Sequence, residues 1–391
     1  MAPVAGHAAS TCAQHAHRRD TSMHTLPPDD PGAPTTRPVR RPAWADLADL
    51  SPAYFAMVMA TGIVSLAAHL QGLRATARLL FYLNVAAWLV LWLLNVLRMV
   101  RHPGRFFADM VDHLRGPGFF TMVAGTAVLG SQFVIFAADY RLATALAGLA
   151  LALWTGLTYT IFLAFTIKEN KPSLDKGISG AWLLAVVATQ SLAVLAALLA
   201  AHASPPWKLE LNFFALSMWL WGGMLYIWMM SLIFYRYTFF RLAPDDLTPP
   251  YWINMGAMAI STLAGSLLIV NAPEAPFLNS ILPFLKGFTI FYWATGTWWV
   301  PMLVLLAVWR YIFKRFPLKY DPLYWGAVFP LGMYSASTHE MVEALAVDFL
   351  GFLAPLFLYI ALAAWAATFI GLARQLLRRL RDVALFSRRG S

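Results

Sequence analysis

Charge is scarce in these 391 residues: Asp, Glu, Lys and Arg make up 12% of them, where a soluble domain carries about a quarter. That shortage excludes water as the solvent for most of the folded surface. With 60% hydrophobic and 15% aromatic residues, it points to an all-α membrane protein. Cysteine is scarcer still. The single Cys12 excludes an intrachain disulfide, a Cys-rich zinc centre and a c-type haem motif, and with them thiol redox chemistry. There is no G-x-x-x-x-G-K-[ST] phosphate loop, no H-E-x-x-H, no nucleophile elbow and no carboxylate cluster, so no enzyme, ATP-driven machine, cofactor or metal site is expected. No polar stretch long enough for a second domain interrupts the apolar runs between Pro52 and Leu377.

The apolar runs fall at about 52–70, 80–98, 117–138, 142–166, 178–201, 211–235, 252–270, 283–309, 322–339 and 350–373, each near the roughly 20 residues that a bilayer crossing needs. Ten transmembrane helices are expected in a domain spanning residues 44–378. It is flanked by a polar, Ala-, Pro- and His-rich tail over 1–43 and a basic tail over 379–391. The histidines of the first tail (His7, His15, His17, His24) are irregularly spaced and read as solvated. Cytoplasmic segments carry the excess of Lys and Arg. With both termini inside, 24 of the 29 fall on the cytoplasmic side and only Arg74, Arg78, Arg141, Lys208 and Lys286 outside. This lopsidedness explains the net charge of +10 as membrane orientation, with no nucleic-acid partner. The Arg-rich end alternates with Leu376, Leu377 and Leu380 and suits the anionic inner leaflet.

Polar residues are not spread evenly. The odd-numbered segments hold Thr61, Gly62, Gly125, Thr126, Gln190, Asn254, Thr262 and the Phe329-Pro330 pair, whereas the even-numbered ones are mostly Leu, Ala, Val and Trp. The odd segments are therefore the inner ones. Their hydroxyls and amides either hold helices together or line a lumen. A repeat supports the division: Phe55-x-Met57-Val58-x-x-Thr61-x-x-x-Ser65 matches Phe120-x-Met122-Val123-x-x-Thr126-x-x-x-Gly130, as hairpins repeated around an axis would. Pro330 removes a helical hydrogen bond and is expected to kink the ninth helix. The neighbouring Phe329 is either a packing aromatic or a ring at a constriction. His339 and Glu343, four apart near the outer end of that helix, are candidates for an outer vestibule. No acidic or basic residue lies in the middle third of a span, an arrangement that suits anions better than cation-coupled transport.

The stretches Phe55-Ala-Met-Val-Met-Ala-Thr-Gly-Ile-Val-Ser65, Arg115-Gly-Pro-Gly-Phe-Phe-Thr121, Gly180-Ala-Trp-Leu-Leu184, Ala188-Thr-Gln190 and Phe329-Pro-Leu331 together resemble the tellurite-resistance/dicarboxylate transporter family. That family includes the bacterial tellurite-resistance membrane protein, malic acid permeases, sulfite efflux pumps and plant slow anion channels. The resemblance covers residues 45–378. It implies five helical hairpins in quasi-fivefold arrangement around a central pore, a homotrimer in the cell (inner or plasma) membrane, and a small anionic substrate. Malate, succinate and monovalent anions are the implied substrates, with sulfite or tellurite-related oxyanions the alternative. It also assigns the gate to Phe329, just before Pro330. Odd-numbered helices would line the pore, which makes Thr61, Gly62, Thr126, Gln190, Asn254 and Thr262 its lining candidates.

Overall fold

Long apolar runs become helices because a bilayer offers unpaired backbone groups no water to bond with. The computed structural model describes residues 47–318 and 320–387; the 1–43 tail with Cys12 and its histidines, and residues 388–391, lie outside the described residues. Ten long helices follow one another: α1 (Ala56–Leu70), α2 (Arg74–Arg101), α3 (Phe120–Gln132), α4 (Tyr140–Ile167), α5 (Leu184–His202), α6 (Trp207–Phe239), α7 (Ile253–Asn271), α8 (Leu282–Val308), α9 (Trp325–Leu345) and α10 (Leu353–Ser387). Among the described residues, nine of these, with their flanking turns, are long and apolar enough to cross a membrane. The exception is α9, whose Ser, Thr, His and Glu residues lower its hydropathy. It runs past the end of its apolar segment at 339 to Leu345 and stops where Ala346 takes a left-handed conformation, φ 55°. The polar residues that end an apolar run do not themselves end a helix.

Five hairpins assemble so that the odd-numbered helices touch in a closed ring. Helix α1 packs on α3, α3 on α5, α5 on α7, α7 on α9, and α9 back on α1. Each even-numbered helix lies against its hairpin partner and against the next odd helix. Burial follows this order. In the apolar windows containing α1, α3, α5 and α7, 78–94% of residues are buried, against 22–50% in those of the even-numbered helices. The α1–α2 connection is so tight that Gly72 sits at φ 79°, a conformation that strains any residue with a Cβ.

One bond recurs between successive hairpins. A Trp indole N–H on an even helix donates to the next odd helix: Trp88 to Thr126 Oγ1 at 3.1 Å, Trp154 to Thr189 Oγ1 at 2.8 Å, Trp293 to Thr338 Oγ1 at 3.1 Å and Trp365 to Thr61 Oγ1 at 2.9 Å. In the α6–α7 pair, Trp219 donates to the carbonyl of Ser261 at 2.8 Å. An indole buried among apolar helices needs an acceptor, and the same solution is used five times.

Candidate functional site

All five inner helices begin at the same end of the ring, and each begins with a turn of tighter helix: Pro52–Phe55, Gly116–Phe119, Gly180–Leu183, Pro249–Trp252 and Pro322–Tyr324. Proline stands in four of these first turns, all but Gly180–Leu183, because its missing N–H would have had no intrahelical partner there. The five turns surround a cavity of about 300 Å³ lined by Ala56, Thr121, Leu184, Ile253 and Gly326, with Arg115 and Asp321 also at its wall. Five helix N-termini, each the positive end of a peptide dipole, therefore share one space, which favours anions over cations.

The approaches to this cavity are held by cations on the outer helices. Arg98 of α2 donates through Nε to the carbonyl of Ala48 at 3.1 Å and pairs with Asp109. Arg236 of α6 donates to the carbonyl of Asp175 at 2.8 Å, bonds the Tyr251 hydroxyl and pairs with Asp246 at 3.2 Å. Arg310, just beyond α8, donates to the carbonyl of Leu247, and Lys168 at the end of α4 reaches the carbonyl of Val111 at 3.4 Å. In four hairpins, then, a cation at the end of the even helix binds backbone in the stretch leading into its own partner. The three arginines are buried, where acceptors for a guanidinium's donors offset the cost of desolvation; Arg98 Nη1 and Arg310 Nε have no such acceptor among the described residues. His113 lies in the same stretch as Val111. It stacks on Phe165 at 4.2 Å, its carbonyl accepts the Trp182 indole N–H at 3.0 Å, and burial pulls its pKa below the ordinary 6.5, with Lys168 adding to the effect.

The faces of α9 are sorted by what they touch. Pro330 meets α7 so closely that a Cβ on Gly256 would lie 2.7 Å from Pro330 Cγ. Gly332 and His339 face α1, the former against Val64 and the latter 3.4 Å from Gln71 Nε2. Tyr334 and Ser335 face outward: the Tyr334 ring lies 4.4 Å from Phe357 and its hydroxyl 2.8 Å from Thr297, while Ser335 donates to the Ala354 carbonyl at 2.7 Å. By helical register, the face left over, turned away from α8 and α10, carries Phe329, Met333, Ala336 and Glu340. The first three are buried. The same reasoning turns Met59 and Ile63 of α1, Ser191 of α5 and Ile260 of α7 toward the same interior, which is apolar above the cavity.

The six pore-lining candidates of the sequence are all buried, but all except Thr262 engage neighbouring helices. Thr61 and Thr126 accept indole protons from α10 and α2. Gly62 allows the close approach of α1 to α3 and α2; a Cβ there would lie 2.6 Å from Val128 Cγ1 and 2.8 Å from Asn84 Nδ2. Gln190 donates to the Trp219 carbonyl at 3.0 Å and Asn254 to the Tyr237 hydroxyl at 3.2 Å. Thr262 bonds back to the Met258 carbonyl of its own helix at 2.9 Å. Glu343 is exposed at the outer end. The indole donors and the cationic clamps went unread in the sequence, although the presence of at least one Trp on every even helix was a visible signal.

The family model described as SLAC1, voltage-dependent anion channel, matches residues 49–373. An uncharacterized membrane protein of Mycobacterium tuberculosis is 36% identical over 152 residues, which cover 39% of this chain and 77% of that protein. An uncharacterized transporter of Methanocaldococcus jannaschii is 26% identical over 317 residues, covering 76% of this chain and 87% of the relative. A sulfite efflux pump of Arthroderma benhamiae is 22% identical over 357 residues, covering 84% and 92% respectively.

Proposed function

Because this chain belongs to the SLAC1 voltage-dependent anion channel family, we propose that it moves small anions along the interior enclosed by α1, α3, α5, α7 and α9, past the ring of Phe329. The observation that carries this reading is the convergence of five helix N-termini on one cavity, beneath an apolar interior that includes the buried Phe329. An anion is drawn to the cavity by the aligned dipoles and by the arginine-rich surroundings. Beyond it, a bulky ring among apolar side chains is a barrier that opens only when the ring turns aside. Phe329 is found in none of the ring-on-ring pairs among the described residues, so no aromatic neighbour resists that rotation. The substrates proposed first are C4-dicarboxylates such as malate and succinate, or monovalent anions. The molecule works in the inner or plasma membrane with both termini cytoplasmic, its five hairpins in quasi-fivefold arrangement and three copies assembled as a homotrimer.

A second reading is a coupled carrier for sulfite or tellurite-related oxyanions, and it is favoured by the similarity to a sulfite efflux pump over nearly its whole length. Flux into proteoliposomes separates the two readings. Malate, succinate, chloride, nitrate and sulfite are compared with and without a pH gradient, for wild type and Phe329→Ala. Electrogenic flux that ignores the gradient and rises several-fold in the variant is the expected result for a gated channel. Saturable, gradient-driven flux that falls in the variant would select the carrier. Unaltered flux in folded Phe329→Ala would remove Phe329 from the gate.

A further inference from the structure

Glu340 has no part in the picture so far, yet it shares the inward face of α9 with Phe329, Met333 and Ala336. It lies three turns beyond Phe329, about 16 Å along the helix, near the end remote from the five N-termini. Its side chain is half-buried and has neither a hydrogen bond nor an ion pair among the described residues. On its own helix it feels His339 and Glu343. Of the elements packed on α9, α1 brings His69, whose ring lies edge-on to Phe136 at 4.9 Å. Helix α7 brings no charged residue, α10 brings none before Arg374 at its opposite end, α8 brings the exposed Lys286, and the turn before α10 brings the exposed Asp348. Among the described residues, no Lys or Arg is placed to neutralise the carboxylate.

We propose that Glu340 is a titratable charge barrier at the outer end of the transport path, closed to anions when ionised and open to them when protonated. This rests on the anion-transport reading above. An ionised carboxylate facing a narrow apolar path repels any anion that comes within a few ångströms, and the low dielectric leaves that repulsion poorly screened. Protonation removes the charge and presents a hydroxyl that donates to the passing anion. The opposite end of the path differs: its carboxylate, Asp321, accepts the Leu323 N–H at 2.8 Å and shares the cavity wall with Arg115 and the helix N-termini. One carboxyl therefore makes anion flux fall as pH rises.

The test is nitrate and chloride flux in proteoliposomes with the same pH on both sides, at about pH 5.5 and about pH 8; neither anion titrates in that range. Wild type should carry about tenfold more at the lower pH. Glu340→Gln should be flat and close to the wild-type low-pH rate, whereas Asp348→Asn should keep the wild-type profile. Glu340→Met serves the same purpose if the amide does not fold, as judged by thermal unfolding in detergent. A folded Glu340 variant that keeps the wild-type pH profile, or a flat wild type, overturns the assignment of Glu340 and leaves anion transport standing. A wild type that moves no anion overturns the anion-transport reading and this proposal with it.

Discussion

At the scale of single residues, the threonines of the inner helices are occupied. Thr61 Oγ1 accepts the Trp365 indole proton at 2.9 Å, which leaves it directed at α10. Trp365→Phe removes the donor and keeps most of the ring, so the expected cost is about 1 kcal/mol of stability, seen as a lower unfolding temperature in detergent with unchanged anion selectivity. A change of selectivity in Thr61→Val would instead return this hydroxyl to the transport path. His113 gives a second residue-level expectation. Its pKa is lowered first by burial and then by Lys168, so the folded protein binds its proton less readily than the unfolded chain. Both states hold it neutral above about 6.5, and as pH falls below that value the unfolded state gains the proton first. Stability should therefore decline on acidification through that window, and His113→Phe, which keeps the stack on Phe165, should flatten this part of a plot of unfolding temperature against pH.

At the scale of elements, the crossing of α7 and α9 depends on a glycine facing a proline. A Cβ on Gly256 would lie 2.7 Å from Pro330 Cγ and 3.2 Å from its Cα, and neither the ring nor the backbone gives way cheaply. Gly256→Val should cost about 1–3 kcal/mol and lower the yield of folded protein, whereas Gly148→Val on α4, where a Cβ meets open space, should not. The spans themselves were legible because a bilayer crossing sets a minimum run of apolar residues: the segment read at 52–70 is the structure's Pro52–Leu70, and that at 117–138 its Gly116–Ala137. The inward position of the odd helices was legible too, from where polar residues collect. Which way each polar side chain points was not, since azimuth on a helix is decided by neighbours distant in sequence, as Trp365 is for Thr61. Arg236 could be read as an orientation signal, but its grip on Asp175 was hidden because α6 continues to Phe239 and carries the guanidinium back into the fold. The repeat shared by Phe55–Ser65 and Phe120–Gly130 did carry structural content: its aligned threonines, Thr61 and Thr126, make equivalent bonds.

At the scale of the whole molecule, two asymmetries agree. The five inner helices all point their N-termini at one cavity, and the cations Arg98, Lys168, Arg236 and Arg310 gather at that same end. The lopsided count of Lys and Arg is the ground for proposing that this end faces the cytoplasm, where the positive potential would collect anions from the cell interior before they meet the proposed barrier at Phe329. The sole thiol, Cys12, is a ready-made reporter of that orientation. In intact expressing cells a membrane-impermeant maleimide should leave Cys12 unmodified until the membrane is permeabilised. In a Cys12→Ala background, Ser204→Cys in the exposed α5–α6 connection should react without permeabilisation. The reverse pattern would put the five N-termini and their cavity outside the cell, so that the dipoles would gather external anions and Glu340 would face the cytoplasm, changing which compartment's pH sets the flux.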